Sequence, residues 1–178
     1  MAIYKYKDKT PELGRESFVA EDARVIGDVK LGTGSSVWWG STIRGDVHHI
    51  RIGEYTNVQD MSMIHVTGGK FPTVIGNHCT LGHRVTIHGA FLHDHAFVGI
   101  GATVLDGCEI EPFGFLAAGS MLTPGKKIPS GMMFMGSPAR AVREITDQER
   151  EMILKTAEKY HQLSREYANS SLVQKIQN

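Results

Sequence analysis

Aliphatic side chains recur at every sixth position along most of this chain between residues 19 and 128. In chain order, the recurring residues are Val19, Val25, Leu31, Val37, Ile43, Ile52, Val58, Ile64, Ile75, Leu81, Ile87, Leu92, Val98, Val104, Ile110, Leu116, Leu122 and Ile128. A period of six suits neither an amphipathic α-helix, which repeats every ~3.6 residues, nor a strand with simple alternation. It predicts a parallel β-helix of triangular cross-section, in which three hexads make one coil of about 18 residues.

The interior of such a coil follows from the same pattern. A small or β-branched residue stands four positions after most of the aliphatic ones, as at Ala23 and Ala102, and leaves room for the inward aliphatic side chain. The coils should stack ~4.8 Å apart through parallel hydrogen bonds. The period does not determine the hand of the coil; similarity to hexapeptide-repeat proteins implies a left-handed one.

The series is interrupted in two places that matter for function. Ile43 and Ile52 lie nine residues apart, and Ile64 and Ile75 lie eleven apart, so three and five extra residues must be accommodated. These interruptions predict loops that leave the coil. Loops on a rigid scaffold commonly carry functional residues.

A different pattern follows the last hexad. Thr146-Asp-Gln-Glu149 is a capping-box motif, and apolar residues then recur at helical spacing as far as Tyr167. A single apolar stripe needs a partner, so we expect the helix to lie along the wall of the β-helix. We therefore predict one mainly β domain over residues 1–178: a left-handed β-helix and cap over 15–135, then a linker and a packed C-terminal helix over 136–178.

The composition limits the classes of function. The 19 lysines and arginines balance the 19 aspartates and glutamates, so nothing indicates a nucleic-acid partner or an anionic membrane. No stretch approaches the ~20 apolar residues of a membrane span, and the first residues lack the apolar core of a secretion signal. The two cysteines, Cys79 and Cys108, are too few for a disulfide framework. These observations lead us to expect a cytoplasmic protein.

Most of the nine histidines lie between His48 and His95, and counting hexads places two of them together. His65 follows Ile64, and His88 follows Ile87, one coil of three hexads later. The two imidazoles should therefore lie on one face, ~5 Å apart on adjacent rungs. Arg44 occupies the same position one coil earlier. Such a pair suits two ligands of a zinc ion, although a surface row of histidines without a metal would look the same.

A catalytic zinc ion usually has three protein ligands and an open position. His83 is the available third candidate, but it belongs to the preceding face of the triangle. It cannot reach the same metal within its own chain. It could do so from a neighbouring chain in a trimer, and the site would then lie at a subunit interface.

Five motifs carry a resemblance to a known family. In chain order they are Ile43-Arg44-Gly45-Asp46, Val58-Gln59-Asp60, Ile64-His65, Gly82-His83 and Ile87-His88-Gly89. They resemble the motifs of the γ-class carbonic anhydrases and their close homologues, and the similarity runs from Phe18 into the terminal helix. The resemblance implies a homotrimer with zinc held by His65 and His88 of one subunit and His83 of the next. It also implies reversible hydration of carbon dioxide to bicarbonate by a metal-bound hydroxide. Iron(II) or cobalt(II) would accept the same ligands.

The same resemblance implies roles for five other residues. Gln59 matches a residue that hydrogen-bonds the metal-bound water, and Asp60 matches a partner that orients a ligand without reacting. Arg44 and Asp46 match an interfacial ion pair linked to bicarbonate binding, although a trimer salt bridge without a chemical role explains them equally well. Tyr160 roughly matches a tyrosine near the metal in short homologues, and a helix-packing role is equally open.

The sequence departs from the best-studied form of the family in the residues expected to export protons. That form has glutamates in two loops near the metal. Here Asp46 is followed by Val47-His48-His49, and the loop after His65 reads VTGGKFPT, without a carboxylate. His48 or His49 could take over proton export, because imidazole titrates near neutral pH.

Two other functions remain open from the sequence. Hexapeptide β-helices also include coenzyme A-dependent acyltransferases and thioesterases, but those enzymes typically use one histidine as a base rather than three arranged for a metal. The other possibility is a metal-stabilised trimeric scaffold with weak catalysis. Zinc content distinguishes the acyltransferase from the other two, and carbon dioxide hydration then distinguishes the anhydrase from the scaffold.

Overall fold

The computed structural model describes residues 2–169, 171–173 and 176. Within these residues the predicted fold class is confirmed, because the chain forms a left-handed parallel β-helix of about seven turns followed by one C-terminal helix. Positions 1, 170, 174, 175, 177 and 178 of the predicted domain lie outside the described residues.

The elements follow one another as short strands and a single long helix over the part described. In chain order they are β1 (Ala2–Tyr4), β2 (Glu12–Leu13), β3 (Phe18–Val19), β4 (Arg24–Leu31), β5 (Ser36–Val37), β6 (Thr42–Ile52), β7 (Asn57–Val58), β8 (Met63–His65), β9 (Thr73–Ile75), β10 (Thr80–Leu81), β11 (Thr86–His88), β12 (Phe91–Leu92), β13 (Phe97–Val98), β14 (Thr103–Val104), β15 (Glu109–Ile110), β16 (Phe115–Leu116), β17 (Met121–Leu122), β18 (Lys127–Ile128), β19 (Met132–Gly136), β20 (Ala139–Glu144) and α1 (Asp147–Ala168).

Three faces make up the triangular coil. On the first face, the beginnings of β4 and β6 are followed by β8, β11, β14 and β17. On the second face, the ends of β4 and β6 are followed by β9, β12, β15 and β18. The third face consists of β3, β5, β7, β10, β13, β16 and β19. Strands in each face pair in parallel, so each residue sits directly over its equivalent in the next coil.

The hexad residues form the core, as the period predicts. Ile43, Ile64 and Ile87 are fully buried and occupy successive rungs of the first face. Burying an aliphatic side chain of this size stabilises a fold by roughly 1.5–3 kcal/mol. Both cysteines, Cys79 and Cys108, are buried and free. This continuous core makes the β-helix a rigid support for the side chains on its outer faces.

The two interruptions of the repeat are resolved differently. The first lies inside β6, whose pairing with β4 shifts from Gly27–Gly45 to Val29–Ile50. The three extra residues therefore form a bulge within a continuous strand, and the predicted loop is wrong here. The second interruption leaves the coil as predicted, in a loop over residues 66–72 that an antiparallel bridge between Thr67 and Phe71 closes.

The C-terminal part contains more regular structure than the predicted linker. β20 folds back on β19 as an antiparallel hairpin and covers backbone groups at the end of the third face that would otherwise be unpaired. Thr146 caps α1 through a complete capping box, and Ile153 is buried against a cluster on the third face. The helix thus lies along the wall, as expected. Among the described residues, no helix is long and apolar enough to cross a membrane.

Candidate metal centre

His65 and His88 lie side by side on the first face. The pairing of β8 with β11 sets His65 directly opposite His88, as the hexad count predicts. Their ring centroids are 5.1 Å apart, and Nδ1 of His65 lies 3.2 Å from Nε2 of His88. Two nitrogen ligands of a tetrahedral zinc ion, each at ~2.0–2.1 Å from the metal, would be about 3.3 Å apart. The observed spacing fits such a pair.

The other ring nitrogens of this pair donate to carboxylates. Nε2 of His65 is 2.9 Å from Oδ1 of Asp46, and Nδ1 of His88 is 2.7 Å from Oδ1 of Asp106. Since an ionised carboxylate only accepts hydrogen bonds, each of these nitrogens carries the proton. The lone pairs of the two facing nitrogens then point toward each other, which a cation between them would stabilise. Histidine ligands of metals in proteins commonly have such carboxylate partners. The donor set therefore fits a zinc-type metal.

Both carboxylates remain ionised near neutral pH. Burial acts to raise the pKa of Asp46, but hydrogen bonds from His65 and Arg44, together with the positive charge of Arg44, hold it below its ordinary value. Burial likewise acts to raise the pKa of Asp106, and hydrogen bonds from His88 and Thr67 outweigh it, so that this pKa is also lowered. The two carboxylates can therefore accept hydrogen bonds from Nε2 of His65 and Nδ1 of His88.

His83 lies on the third face and does not approach the pair on the first. Its Nδ1 is 2.8 Å from Oδ2 of Asp60, and its Nε2 is 3.5 Å from the hydroxyl of Tyr160. Within the described residues of one chain, no group of three histidine, cysteine, aspartate or glutamate side chains is placed to hold a metal. The separation of His83 from His65 and His88 agrees with the hexad count. Whether a neighbouring chain brings them together stays a prediction.

Gln59 belongs to the neighbourhood of His83. The register of β7 with β10 sets Val58 opposite Leu81, so Gln59 lies one rung from Gly82. The side chain is buried, and its Nε2 donates to Oδ1 of Asn57 over 3.0 Å. This bond fixes the amide, with its oxygen facing away from Asn57. Gln59, Asp60 and His83 thus form a second cluster, apart from Arg44 and Asp46 on the first face.

Tyr160 joins α1 to this second cluster. Its ring packs edge-on against Trp38, with centroids 5.4 Å apart. Burial, and then the nearby charge of Asp60, raise the pKa of Tyr160. The hydroxyl therefore keeps its proton near neutral pH and can donate a hydrogen bond beside His83. The geometry shows the packing of the helix and places Tyr160 beside His83, whereas a position near the metal stays a prediction.

The bulge of β6 places His48 and His49 beside Asp46. Together with Lys9 and Asp28, they line a cavity of about 300 Å³ that Asp46 also borders. Burial, followed by the charge of Arg51, lowers the pKa of His49. Their position next to Asp46 is compatible with the predicted proton export, which stays a prediction.

Sequence reasoning missed Asp106 and Thr67. Continuing the hexad count one coil further, from Ile87 to Val104, would have placed Asp106 opposite Gly89, the residue that follows His88, because β11 pairs with β14 through Ile87 and Val104. The hydroxyl of Thr67 donates to Oδ2 of Asp106 over 2.8 Å. Thr67 belongs to the projecting loop, whose path no repeat specifies, so no signal in the sequence would have found it.

Fold and site together define a hexapeptide-repeat protein in which a carboxylate-supported histidine pair and a third histidine occupy different faces of the β-helix. The chain is 43% identical over 166 residues to "Gamma carbonic anhydrase 1, mitochondrial" of Arabidopsis thaliana, covering 90% of this chain and 60% of that protein. It is 40% identical over 146 residues to "Probable carbonic anhydrase" of Methanocaldococcus jannaschii, covering 82% and 91%. The chain belongs to the γ-carbonic-anhydrase-like family, and the resemblance drawn from its motifs is confirmed.

A solved structure supports the hexapeptide-repeat fold. The crystal structure of a hexapeptide transferase family protein from Anaplasma phagocytophilum superposes with a TM-score of 0.90 at 41% identity, covering 93% of this chain and 98% of that one. The chain spans only 60% and 61% of the lengths of two Arabidopsis relatives. No family model matches the chain.

Proposed function

We propose that this protein catalyses the reversible hydration of carbon dioxide to bicarbonate at zinc sites shared between the subunits of a homotrimer. The observation that carries the proposal is the pair of imidazole nitrogens of His65 and His88, 3.2 Å apart and backed by carboxylates. The carbonic anhydrase names of relatives at 40% identity and above support the reaction. We also propose a cytoplasmic location, with which the two free cysteines agree.

The residues that would bind the metal lie on two different faces of the β-helix. His65 and His88 would hold the metal from the first face, and His83 of the neighbouring subunit would complete the set of three. When bound, zinc would act as a Lewis acid and lower the pKa of a coordinated water to about 7. Iron(II) or cobalt(II) could replace zinc with these ligands.

The remaining residues would bind and orient the reactants. The amide oxygen of Gln59, turned away from Asn57, would accept a hydrogen bond from the reacting water. The guanidinium of Arg44, paired with Asp46 next to His65, would attract the bicarbonate anion. Asp60 would orient His83 through the 2.8 Å contact with its Nδ1. Tyr160 would donate a hydrogen bond at the same histidine.

The proposal is tested by comparing two histidine variants in the same assay. His88→Ala removes one nitrogen of the pair and should lose both bound zinc and carbon dioxide hydration in a stopped-flow measurement. His93→Ala is the matched control. His93 is exposed and lies away from the site, where its Nε2 is 2.8 Å from Oε1 of Glu109. It should keep both properties. A zinc-replete wild-type protein without hydration activity would contradict the proposal and favour the scaffold.

Acyl transfer is the second candidate, because a solved relative at 41% identity is described as a hexapeptide transferase family protein. This function needs a histidine base and coenzyme A rather than a metal. Acyl transfer from acetyl-coenzyme A by metal-free protein, lost in His83→Ala or His88→Ala, would favour it over hydration.

A further inference from the structure

The projecting loop is attached to the histidine pair at both of its ends. Near its beginning, the hydroxyl of Thr67 donates to Oδ2 of Asp106 over 2.8 Å. At its end, the hydroxyl of Thr73 donates to the carbonyl oxygen of His65 over 2.6 Å and accepts from the backbone N–H of Gly89 over 3.0 Å. The loop therefore contacts the backbone of one histidine and, through Asp106, the ring of the other.

Two glycines provide the space in which the loop packs. A Cβ atom at Gly89 would collide with Oδ1 of Asp106 and lie 2.7 Å from Cβ of Phe71. A Cβ atom at Gly107 would lie 3.1 Å from Cε1 of Phe71. Both glycines have positive φ angles, which residues with side chains rarely adopt. The side chain of Phe71 can therefore pack over two successive coils. This position of the loop allows Thr67 to hydrogen-bond Asp106.

Asp106 is held at both carboxylate oxygens. Oδ1 accepts from Nδ1 of His88 over 2.7 Å, and Oδ2 accepts from Thr67 over 2.8 Å. With both oxygens engaged, the carboxylate cannot rotate without losing a hydrogen bond. Because the proton of His88 is directed to Asp106, Nε2 is left with its lone pair facing Nδ1 of His65. Asp106, which Thr67 of the loop holds in place, thereby directs which nitrogen of His88 is available to a ligand.

We propose that Thr67 and Asp106 are positioning residues for metal binding, and that the loop over residues 66–72, with Thr73 at the start of β9, holds the His65–His88 pair in a geometry ready for the metal. The proposal rests on the proposed function only in taking the ligand to be a zinc-type metal. It does not depend on which reaction the metal supports. Thr67 and Asp106 would touch neither the metal nor the substrate, and would act through His88.

The first test measures metal affinity by chelator competition with Zn²⁺ or Co²⁺. Loss of a carboxylate that supports a histidine ligand typically weakens metal binding by about 10–100-fold. We expect Asp106→Ala to fall in this range, Thr67→Val to weaken binding in the same direction but less, and Thr67→Ser to restore it. Asp94→Asn is the matched control, because Asp94 binds Asn77 on another face and should leave the affinity unchanged.

The second test uses metal-free protein. Nitrogen-15 NMR of the imidazoles, at a pH where they are neutral, reports which nitrogen of His88 carries the proton. Wild type and Thr67→Ser should show the Nδ1–H form, whereas Asp106→Ala and Thr67→Val should show a mixture of both forms. Thr67→Val keeps the experiment decisive if Asp106→Ala does not fold.

The outcomes separate this inference from the proposed function. Unchanged affinity and an unchanged His88 tautomer in folded Asp106→Ala or Thr67→Val would overturn the positioning role, even if the wild type binds zinc and hydrates carbon dioxide. A wild type that binds no metal, but whose His88 tautomer depends on Asp106 and Thr67, would overturn the proposed function and the metal-binding part of this inference together. Weaker binding with a changed tautomer in Asp106→Ala and Thr67→Val supports the positioning role.

Discussion

Comparing Gly89→Ala with Gly101→Ala separates the energetic cost of backbone strain from the cost of crowding beside the histidine pair. Gly89 has a φ of +59°, and a new Cβ would collide with Asp106 and lie 2.7 Å from Cβ of Phe71. Gly101 has a φ of +67°, but a Cβ there would meet nothing within 4 Å. The left-handed conformation costs an alanine roughly 1–2 kcal/mol at either position. The crowding at Gly89 adds about 1–3 kcal/mol, which is typical of overpacking.

We therefore expect Gly101→Ala to lower the free energy of unfolding by roughly 1–2 kcal/mol and Gly89→Ala to lower it by about 2–5 kcal/mol. Urea unfolding at one fixed protein concentration measures both, since the stability of an oligomer depends on concentration. Gly89→Ala should also weaken zinc binding in the chelator assay, because its Cβ displaces Asp106 from His88. Equal losses of stability in the two variants, or wild-type zinc affinity in Gly89→Ala, would refute the reasoning.

Three further predictions concern groups away from the histidine pair. Burial raises the pKa of Cys79 to about 12, so native protein at pH 8 should resist thiol reagents that label it in urea; rapid native labelling would contradict this. Burial, followed by the charges of His78 and Arg150, lowers the pKa of His95. The imidazole of His95 therefore binds a proton less readily in the folded state than in the unfolded state. Metal-free protein should consequently lose stability as the pH falls below about 6.5, and thermal unfolding should show a smaller loss in His95→Phe. Thr146→Ala removes the cap of α1 and should cost about 1 kcal/mol, measured by urea unfolding; no loss would show that the cap is dispensable.

The repeat predicts most of the fold because it fixes both the core and the register. Once each hexad is assigned to a face, His65 must lie opposite His88, and His83 must lie on another face. Arithmetic on the sequence is sufficient for these placements, since neighbouring coils pair residue by residue. The same arithmetic places Asp60 one rung from His83, which the 2.8 Å contact between them bears out.

The sequence is less informative where the period is broken. Three extra residues in β6 could be accommodated as a loop or as a bulge, and the hydrogen bonding between β4 and β6 favours the bulge. Thr67 reaches Asp106 only because Phe71 packs over Gly89 and Gly107. That packing depends on the three-dimensional path of the loop. The hairpin in which β20 pairs with β19 likewise depends on tertiary structure, because β20 provides hydrogen-bond partners for the backbone groups at the end of the third face.

The proposed metal site shared between two chains is tested most directly by mixing two variants that each lack part of it. His65→Ala and His83→Ala should each fail to form a complete site when expressed alone. In co-expressed trimers that contain both variants, one interface always joins a chain with intact His65 and His88 to a chain with intact His83. With random equal mixing, about three trimers in four are mixed and regain one site in three, so zinc content and hydration should recover to about one quarter of wild type. No recovery in verified mixed trimers would contradict a site built from two chains.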